Sequence, residues 1–322
     1  MPRNRIIYQS QAVGLKVGAG APFVINGVQS VNYGTEIARE DVYQYGKLAA
    51  SDRVILEAPT VSSEVSMYYP NGSLIDSHFR DLLAGSIKGE SSNELIIALD
   101  KEAEDVKATA DLTTVTVGSA NMSSFNFEAS VGAIPTLTLG FEGTNLTYGP
   151  AAAPFNVADE VIDVNNILST NIIPFTGVVL SFSDALMTFY TNSQSATLSF
   201  DLGFEALQRL GNADGLSYAR VATLPASATL DVEAIAIDKA MSVVFGSLLA
   251  QKASAGGSSL SSGGRADVTL TMGARAFKLQ KATLDSTNYT SSLGDNASCS
   301  ASFGVSISTA STSATESTLI FS

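Results

Sequence analysis

The sequence predicts a mainly β protein made of two related domains in tandem. Only 15% of the 322 residues are charged and 45% are hydrophobic, whereas typical soluble domains carry about 25% charged residues. Short segments in which apolar residues alternate with Ser, Thr or Asn recur along the chain, a pattern typical of half-buried strands. Two segments about 166 residues apart also share the same order of apolar positions, which indicates an internal duplication.

The first element of each half is an alternating segment, residues 31–37 and 196–202, which predicts a half-buried strand. Residues 40–46 and 205–211 follow at the same offset, and each segment ends in Gly. We predict a short helical turn there, closed by a left-handed glycine.

The second element is another strand, which follows a loop ending at Pro59 or Pro225. Residues 61–67 and 229–235 alternate between apolar and polar side chains. The small differences between the offsets of these elements fit a loop insertion between duplicated domains.

The third element is a short core helix in each half. In both halves apolar side chains recur with the i, i+3, i+4, i+7, i+8 spacing of an amphipathic helix. The stripe consists of Ile75, His78, Phe79, Leu82 and Leu83 in the first half, and of Met241, Val244, Phe245, Leu248 and Leu249 in the second.

Further strands are predicted at residues 136–141, 268–272 and 301–307, each with period two. Residues 85–93 and 254–264 are predicted loops after the core helices. The Pro- and Ala-rich residues 148–154 are typical of a linker. We therefore predict a first domain over residues 1–150, a linker over 151–175 and a second domain over 176–322.

The composition argues against an enzyme. Cys299 is the single cysteine and His78 the single histidine, so neither a disulfide nor a His-based metal site can form within the chain. His78 lies on the apolar stripe of the first helix, which favours a packing role. The acidic residues 100–105 lack the spacing of a calcium loop and favour a solvated loop. No nucleophile elbow, Walker loop or dinucleotide motif is present, and we predict no catalytic, cofactor or metal site.

Two features of the sequence bear on localisation. No apolar stretch of signal-peptide length follows residues 1–7, and no run approaches 18 consecutive apolar residues. We expect a protein made in the cytoplasm that does not span a membrane. Its net charge of -13 disfavours nucleic-acid binding as a primary role.

Several segments resemble the tail tube (major tail) proteins of long-tailed bacteriophages. Residues 28–33 with 39–48 are similar to the strand and short helix near the start of these proteins, and residues 195–211 with 218–225 resemble the same segment in a second variant. Residues 124–135 look like later strands of the family's barrel. The resemblance covers about half of the chain, which departs from the common family plan by holding two tube-like domains.

The resemblance implies a β-sandwich or partly open barrel in each domain. Family members assemble six domains into a ring around a channel and stack the rings into a tube, which also protects exposed strand edges. Two domains per chain then imply a homotrimeric ring with pseudo-sixfold symmetry, in the tail of a virion whose subunits are made in the host cytoplasm. Partners implied in the same way are a tape-measure protein, a tail terminator and baseplate or tip proteins.

Two further expectations concern the tube. An acidic channel would let DNA pass without specific binding during genome ejection, because negative charge repels phosphate. Stacking requires an element that leaves the ring plane, and the candidates are residues 85–111, 254–267 and 1–15.

Three other classes of protein share parts of this pattern. They are a virion decoration or capsid-associated β-protein, a host-surface adhesin of β-sandwich type, and an enzyme on a β scaffold. An adhesin normally brings an export signal, an enzyme would need a recognisable nucleophile or base, and a decoration protein would not require the duplicated plan.

Overall fold

The computed structural model confirms a mainly β protein. It describes residues 11–25, 27–69, 74–89, 92–99, 112–151, 173–182, 193–208, 219–235, 265–272, 275–291, 296–307 and 318–321. Within these ranges there is one α-helix, α1 (Leu74–Lys88), and the described sheets do not close into a barrel. None of the described helices is long and apolar enough to cross a membrane.

The elements fall into two repeats. The strands of the first repeat are β1 Gln11–Lys16, β2 Phe23–Val24, β3 Val28–Glu36, β4 Arg39–Val42, β5 Asp52–Ile55, β6 Thr60–Tyr68, β7 Glu94–Leu99, β8 Leu112–Gly118, β9 Asn121–Ser130, β10 Thr136–Gly143 and β11 Asn145–Ala151. The strands of the second repeat are β12 Val178–Phe182, β13 Ser193–Asp201, β14 Phe204–Leu207, β15 Ala219–Ala222, β16 Ser227–Ile235, β17 Arg265–Met272, β18 Arg275–Thr290, β19 Ser298–Ser306 and β20 Thr318–Phe321. A short 3-10 turn, Phe175–Gly177, precedes β12.

One large antiparallel sheet runs through both repeats, in the order β12-β17-β18-β19-β16-β13-β9-β10-β6-β3, with β20 added against β18. A second sheet has the order β11-β8-β7-β1-β2, and two hairpins, β4-β5 and β14-β15, stand apart. In the central strands of the large sheet buried apolar residues alternate with polar ones, as in β6 and β16. The predicted strands at 61–67, 136–141, 229–235, 268–272 and 301–307 are all present.

The strand pairing of the first repeat recurs in the second with the same register. Asn32 of β3 lies opposite Glu64 of β6, and Thr197 of β13 lies opposite Asp231 of β16. Thr197 follows Asn32 along the chain by nearly the same number of residues as Asp231 follows Glu64. The duplication indicated by the sequence is therefore a duplication of backbone hydrogen bonding.

The next two ladders also correspond, and here both strands are shifted along the chain by the same offset. Phe127 of β9 lies opposite Leu137 of β10, just as Tyr289 of β18 lies opposite Cys299 of β19. Each large-sheet unit thus contains four strands in the same order, β3-β6-β10-β9 in the first repeat and β13-β16-β19-β18 in the second.

Irregularities of the backbone recur at corresponding positions too. The β3-β6 ladder shifts register between Val28 and Ser30, and the β13-β16 ladder shifts between Ser193 and Ser195. Ser119 and Lys281, which are related by the same offset as β9 and β18, both have positive φ, 53° and 51°. Such angles are uncommon outside glycine, so their recurrence shows that the kinks belong to the repeated plan.

Among the described residues, the larger of two hydrophobic clusters contains residues of both repeats. The ring of Phe125 in the first repeat stacks on Phe200 of the second, with centroids 5.0 Å apart and planes at 10°. Leu82 and Leu83 of α1 are buried in the same core. The predicted helix of the first half is confirmed; its counterpart near residues 241–250 lies outside the described residues.

The predicted helical turn at residues 40–46 is wrong. Residues 39–42 form β4 and pair with β5, and Arg53 Nε donates to the Asp41 carboxylate across the ladder. The β-favouring residues Val42 and Val54 and this cross-strand ion pair stabilise a hairpin. Gly46 does adopt a positive φ of 84°, but within the turn of the hairpin.

The corresponding turn in the second half is likewise a strand, β14, over residues 204–207; residues 209–211 lie outside the described ranges.

Three other segments differ from the predictions. The predicted loop at 85–93 begins with the last turn of α1, which continues to Lys88. The predicted linker at 148–154 begins with β11, which pairs with β8 as far as Ala151. Strand β3 is present, but it is exposed over most of its length because it lies at the edge of the large sheet. The division at residues 150 and 176 stays a prediction.

Candidate assembly surface

The two repeats meet by pairing β9 with β13, and this contact is called the internal junction. Phe127 lies opposite Leu198, and Ser124 lies opposite Asp201. Both strands belong to the middle of the large sheet, so the junction continues one sheet from the first repeat into the second. Since main-chain groups across the junction are paired, neither strand exposes a polar edge to water there.

A polar contact reinforces the internal junction. Arg220 of β15 donates from Nη1 to Glu142 Oε2 of β10 at 2.7 Å, and from Nη2 to Thr60 Oγ1 of β6 at 3.3 Å. The Arg220 side chain is only 3% exposed. A buried guanidinium needs such charge-assisted hydrogen bonds to offset its loss of hydration, so the hairpin β14-β15 is fixed against the first repeat.

Gly89 lies directly beneath this hairpin. It follows α1 with a φ of 70°, and a Cβ at this position would overlap the backbone carbonyl oxygen of Arg220. Glycine is required here for both its backbone angle and its lack of a side chain. The residue that follows α1 therefore packs directly against the backbone of the β14-β15 hairpin.

Among the described strands, those that correspond to β9 and β13 lack a pairing partner along one edge, in β18 over residues 284–290. Strand β3 corresponds to β13, and no described strand pairs with its outer edge. Residues 284–290 of β18 correspond to part of β9; they pair with β19 on one side and with none of the described strands on the other. Among the described strands, the run of eight from β3 to β18 therefore has at each end one half of the junction that β9 and β13 complete within the chain.

The surface beside β3 exposes apolar side chains whose counterparts at the internal junction are buried. Tyr33 is 41% exposed whereas its counterpart Leu198 is fully buried, and Ile55 is 52% exposed whereas Ala222 is 6% exposed. The Arg53 side chain is 66% exposed, in contrast to the 3% of Arg220. The other large exposed apolar residues of this region are Ile37, Val42, Tyr43, Tyr45, Leu48, Val54 and Leu56. Exposed apolar clusters of this kind are typical of interaction sites.

The second feature is a polar face on the large sheet, formed by the outward side chains of β6, β10, β9, β13, β16 and β19. These six strands contain no Lys or Arg. Their exposed acidic residues are Glu64, Glu128, Asp201, Asp231 and Glu233.

Small uncharged side chains separate carboxylates that lie on different strands of the polar face. Thr197 lies between Glu128 and Asp231 on the strands to either side. Two strand spacings are about 10 Å, close to the screening length at physiological salt. The face is therefore negative without close repulsion between strands, whereas Asp231 and Glu233 are successive outward residues of β16.

His78 and Cys299, which the sequence analysis singled out, both pack against other residues of the chain. The His78 ring stacks on Phe23, with centroids 4.9 Å apart. Cys299 is buried; its thiol donates to the Ala234 carbonyl at 3.5 Å, and burial raises its pKa. Residues 100–105 lie outside the described ranges. In the part of the chain that is described, no group of three or more His, Cys, Asp or Glu could hold a metal ion.

The candidate stacking segments are only partly described. Residues 94–99 and 112–118 are β7 and β8, which pair as the two arms of a hairpin, and the connection at 100–111 lies outside the described residues. Residues 11–15 belong to β1 and residues 265–267 to β17; residues 1–10 and 254–264 are not described.

Sequence reasoning missed the internal junction and its Arg220–Glu142 contact. One signal was available, because the offset that superimposes β6 on β16 also places Arg53 on Arg220. Nothing in the sequence indicates that only one of the two arginines is buried.

Comparisons with known proteins give partial structural similarities. No family model matches the chain, and no curated protein matches it. The SPP1 tail tube, solved by solid-state NMR and cryo-EM, is 12% identical, with a TM-score of 0.36, over 49% of this chain and 86% of its own.

Two other solved structures are similar over 44% of this chain. The tail of an empty GTA particle, refined with C6 symmetry, is 13% identical, with a TM-score of 0.32, over 98% of its own chain. The baseplate of the anti-feeding prophage, symmetrised sixfold, is 16% identical, with a TM-score of 0.31, over 94% of its own chain.

Proposed function

We propose that this chain is a structural, non-enzymatic subunit of a phage tail tube, and that three copies close into a ring with pseudo-sixfold symmetry. The observation that carries the proposal is the internal junction, in which β9 pairs with the counterpart of β3. Among the described strands, the outer edge of β3 and one edge of residues 284–290 of β18 have no partner, and these two edges are the counterparts of those that pair at the internal junction.

Closure into a ring follows from the type of contact. An interface between two different surfaces of the same chain is heterologous, and repeated heterologous contacts give a ring when the rotation closes. Each copy would contribute eight strands, β3, β6, β10, β9, β13, β16, β19 and β18, and three copies would contribute 3 × 8 = 24. Such closure removes both open edges, which are an aggregation hazard in a single chain.

The polar face is the candidate lining of the channel. It lies on the side of the large sheet opposite the core and carries acidic but no basic residues on its six strands. A ring of three chains carries 3 × -13 = -39 formal charges. A negative lining lacks the cations that bind phosphate backbones, so DNA would pass during genome delivery without adhering.

The remaining parts of the proposal follow from the resemblance to tail tube proteins. The ring would stack on further rings in the tail of a virion, around a tape-measure protein and between a tail terminator and baseplate or tip proteins. The chain itself would be made in the host cytoplasm.

The mass of the assembly tests the proposal. Native mass spectrometry of the purified chain is expected to show a complex of 3 × 33.4 = 100.2 kDa, and electron microscopy is expected to show rings or tubes with a central channel. Six chains per ring would contradict the trimer. Compact monomers at all concentrations would instead support a decoration protein or an adhesin.

A further inference from the structure

The contact between two copies can be specified residue by residue, because each strand of the first repeat is related to its counterpart in the second by a constant number of residues along the chain. This inference rests on the proposed ring. We propose that β3 of one copy pairs with residues 284–290 of β18 in the next copy, with Tyr33 opposite Tyr289, and that Asp285 replaces Glu142 as the acceptor for Arg53.

The register follows from the internal junction, where Leu198 lies opposite Phe127. Tyr33 of β3 is the counterpart of Leu198, and Tyr289 of β18 is the counterpart of Phe127. The same operation places Gly34 opposite Asn288. Tyr33 and Tyr289 are both among the exposed large apolar residues of the single chain, and a cross-strand aromatic pair would cover both rings.

The ionic contact follows from the second pair of counterparts. Arg53 corresponds to Arg220, and Thr60 corresponds to Ser227, so a hydroxyl acceptor is retained. Glu142 corresponds to Gly304, which has no side chain. A direct copy of the internal junction would therefore offer Arg53 no carboxylate from the neighbouring copy at this position.

Asp285 supplies the missing carboxylate. It is the extra residue of the irregularity between Leu284 and Ser286 in the β18-β19 ladder, and its carboxylate occupies the space where a Cβ on Gly304 would lie. The position is exposed in the single chain. A carboxylate thus stands above the same point of the sheet in both repeats, although it comes from a different strand in each.

Arg53 has a temporary partner before assembly. It pairs with Asp41 on the opposite strand of its own hairpin, whereas Arg220 faces Ala206 at the corresponding position. Assembly would exchange this exposed pair for a more buried one with Asp285. The internal junction needs no such exchange, because Arg220 faces Ala206 and pairs with Glu142 within the chain.

Cysteine pairing tests the register. A Cβ at position 34 meets no atom within 4 Å, so Gly34→Cys is tolerated sterically. Full-length chain with Gly34→Cys and Asn288→Cys is expected to give covalent dimers and trimers on mild oxidation. The matched control, Glu36→Cys with Asn288→Cys, is out of register by one diagonal step, beyond about 7 Å between Cα atoms, where disulfides do not form without backbone movement. Equal crosslinking of both pairs would overturn the register.

Charge exchange tests the ionic contact. Arg53→Glu alone and Asp285→Lys alone are each expected to weaken ring formation at least about 10-fold, and the double variant to restore it. Rescue of Arg53→Glu by Asp41→Lys and not by Asp285→Lys would overturn the assignment of Asp285. Rings from the unaltered chain without rescue leave the proposed function intact and refute this inference; absence of rings from the unaltered chain refutes the proposed function itself.

Discussion

Arg220 in the second repeat donates to Glu142 in the first at 2.7 Å, and thereby joins two hairpins that are far apart in the chain. Its counterpart Arg53 makes an exposed contact with Asp41. Removing the acceptor of the buried pair leaves an unpaired buried charge, whereas removing that of the exposed pair does not.

We therefore expect Glu142→Ala to lower the free energy of unfolding by about 3 kcal/mol. Asp41→Ala serves as the matched control, and its cost is expected to stay below about 1 kcal/mol because exposed ion pairs are weak. Urea denaturation of the two variants measures the difference. Equal losses would show that Arg220 does not depend on Glu142.

A second prediction concerns the close contact between Gly89 and the backbone of the β14-β15 hairpin. Gly89→Ala introduces a methyl group against the Arg220 carbonyl oxygen and also forces a left-handed angle on alanine. Gly132→Ala is the control, since Gly132 has a φ of 84° but meets no atom within 4 Å. The control is expected to lose about 1 kcal/mol from backbone strain alone, and Gly89→Ala clearly more. Thermal unfolding compares them, and equal losses would contradict the close approach.

A third prediction concerns the pH dependence of stability at Asp267. Burial acts to raise the pKa of this carboxyl. The ammonium group of Lys278, at 2.8 Å, and the backbone N–H of Lys281 together lower the pKa by more than burial raises it, so the net shift is downward. A lowered folded-state pKa contributes stability that is present above the unfolded value of about 3.9 and is lost as the pH falls through the folded value.

Asp267→Asn is therefore expected to destabilise the protein at pH 7 and to make less difference in acid. Chemical denaturation at both pH values measures the gap between the variant and the unaltered chain. In a Lys278→Ala background the same substitution is expected to open a smaller gap. A gap that does not change with pH would rule out the carboxylate as its source.

The fourth prediction concerns the polar face. Replacing Glu64, Glu128 and Asp231 by Lys is expected to leave the fold intact, because all three are exposed, and to create affinity for duplex DNA that falls steeply with salt. Fluorescence anisotropy at low and high salt measures the binding. Variants with Gln or Asn at the same positions, which only remove charge, are expected to bind less than the Lys variants. In assembled particles the Lys variants are expected to slow genome ejection, and unchanged ejection would argue against an acidic channel.

The fifth prediction concerns ring stacking. Deleting residues 86–93 would remove Ser86, whose hydroxyl accepts the Met122 N–H, and Asn93, which contacts Gly18 and Asn121. That variant is expected to unfold.

Replacing residues 101–110 by a short turn keeps β7 and β8 paired, since Leu99 lies opposite Thr113. This variant is expected to form rings that do not stack, measured as tube length by electron microscopy. Tubes of normal length would exclude the segment.

Local periodicity was a good guide wherever one side of an element is buried. The alternation at 61–67 and 229–235 correctly predicted β6 and β16, and the stripe around Leu82 correctly predicted α1. The pattern failed at residues 40–46, where a cross-strand contact with a strand further along the chain decides the conformation. A short window cannot distinguish a helical turn from one arm of a hairpin when the partner lies outside it.

Residue types alone indicated the absence of a recognisable catalytic motif, the duplication and the alternation of each strand, because these depend on composition and on spacing along the chain. Only the tertiary structure decided that β9 pairs with β13 while β3 and residues 284–290 of β18 stay open to pairing among the described strands. Corresponding strands carry nearly the same local pattern, so the pattern cannot say which of two equivalent edges is covered. That choice depends on contacts such as Phe125 with Phe200 and Arg220 with Glu142, between residues far apart in the sequence.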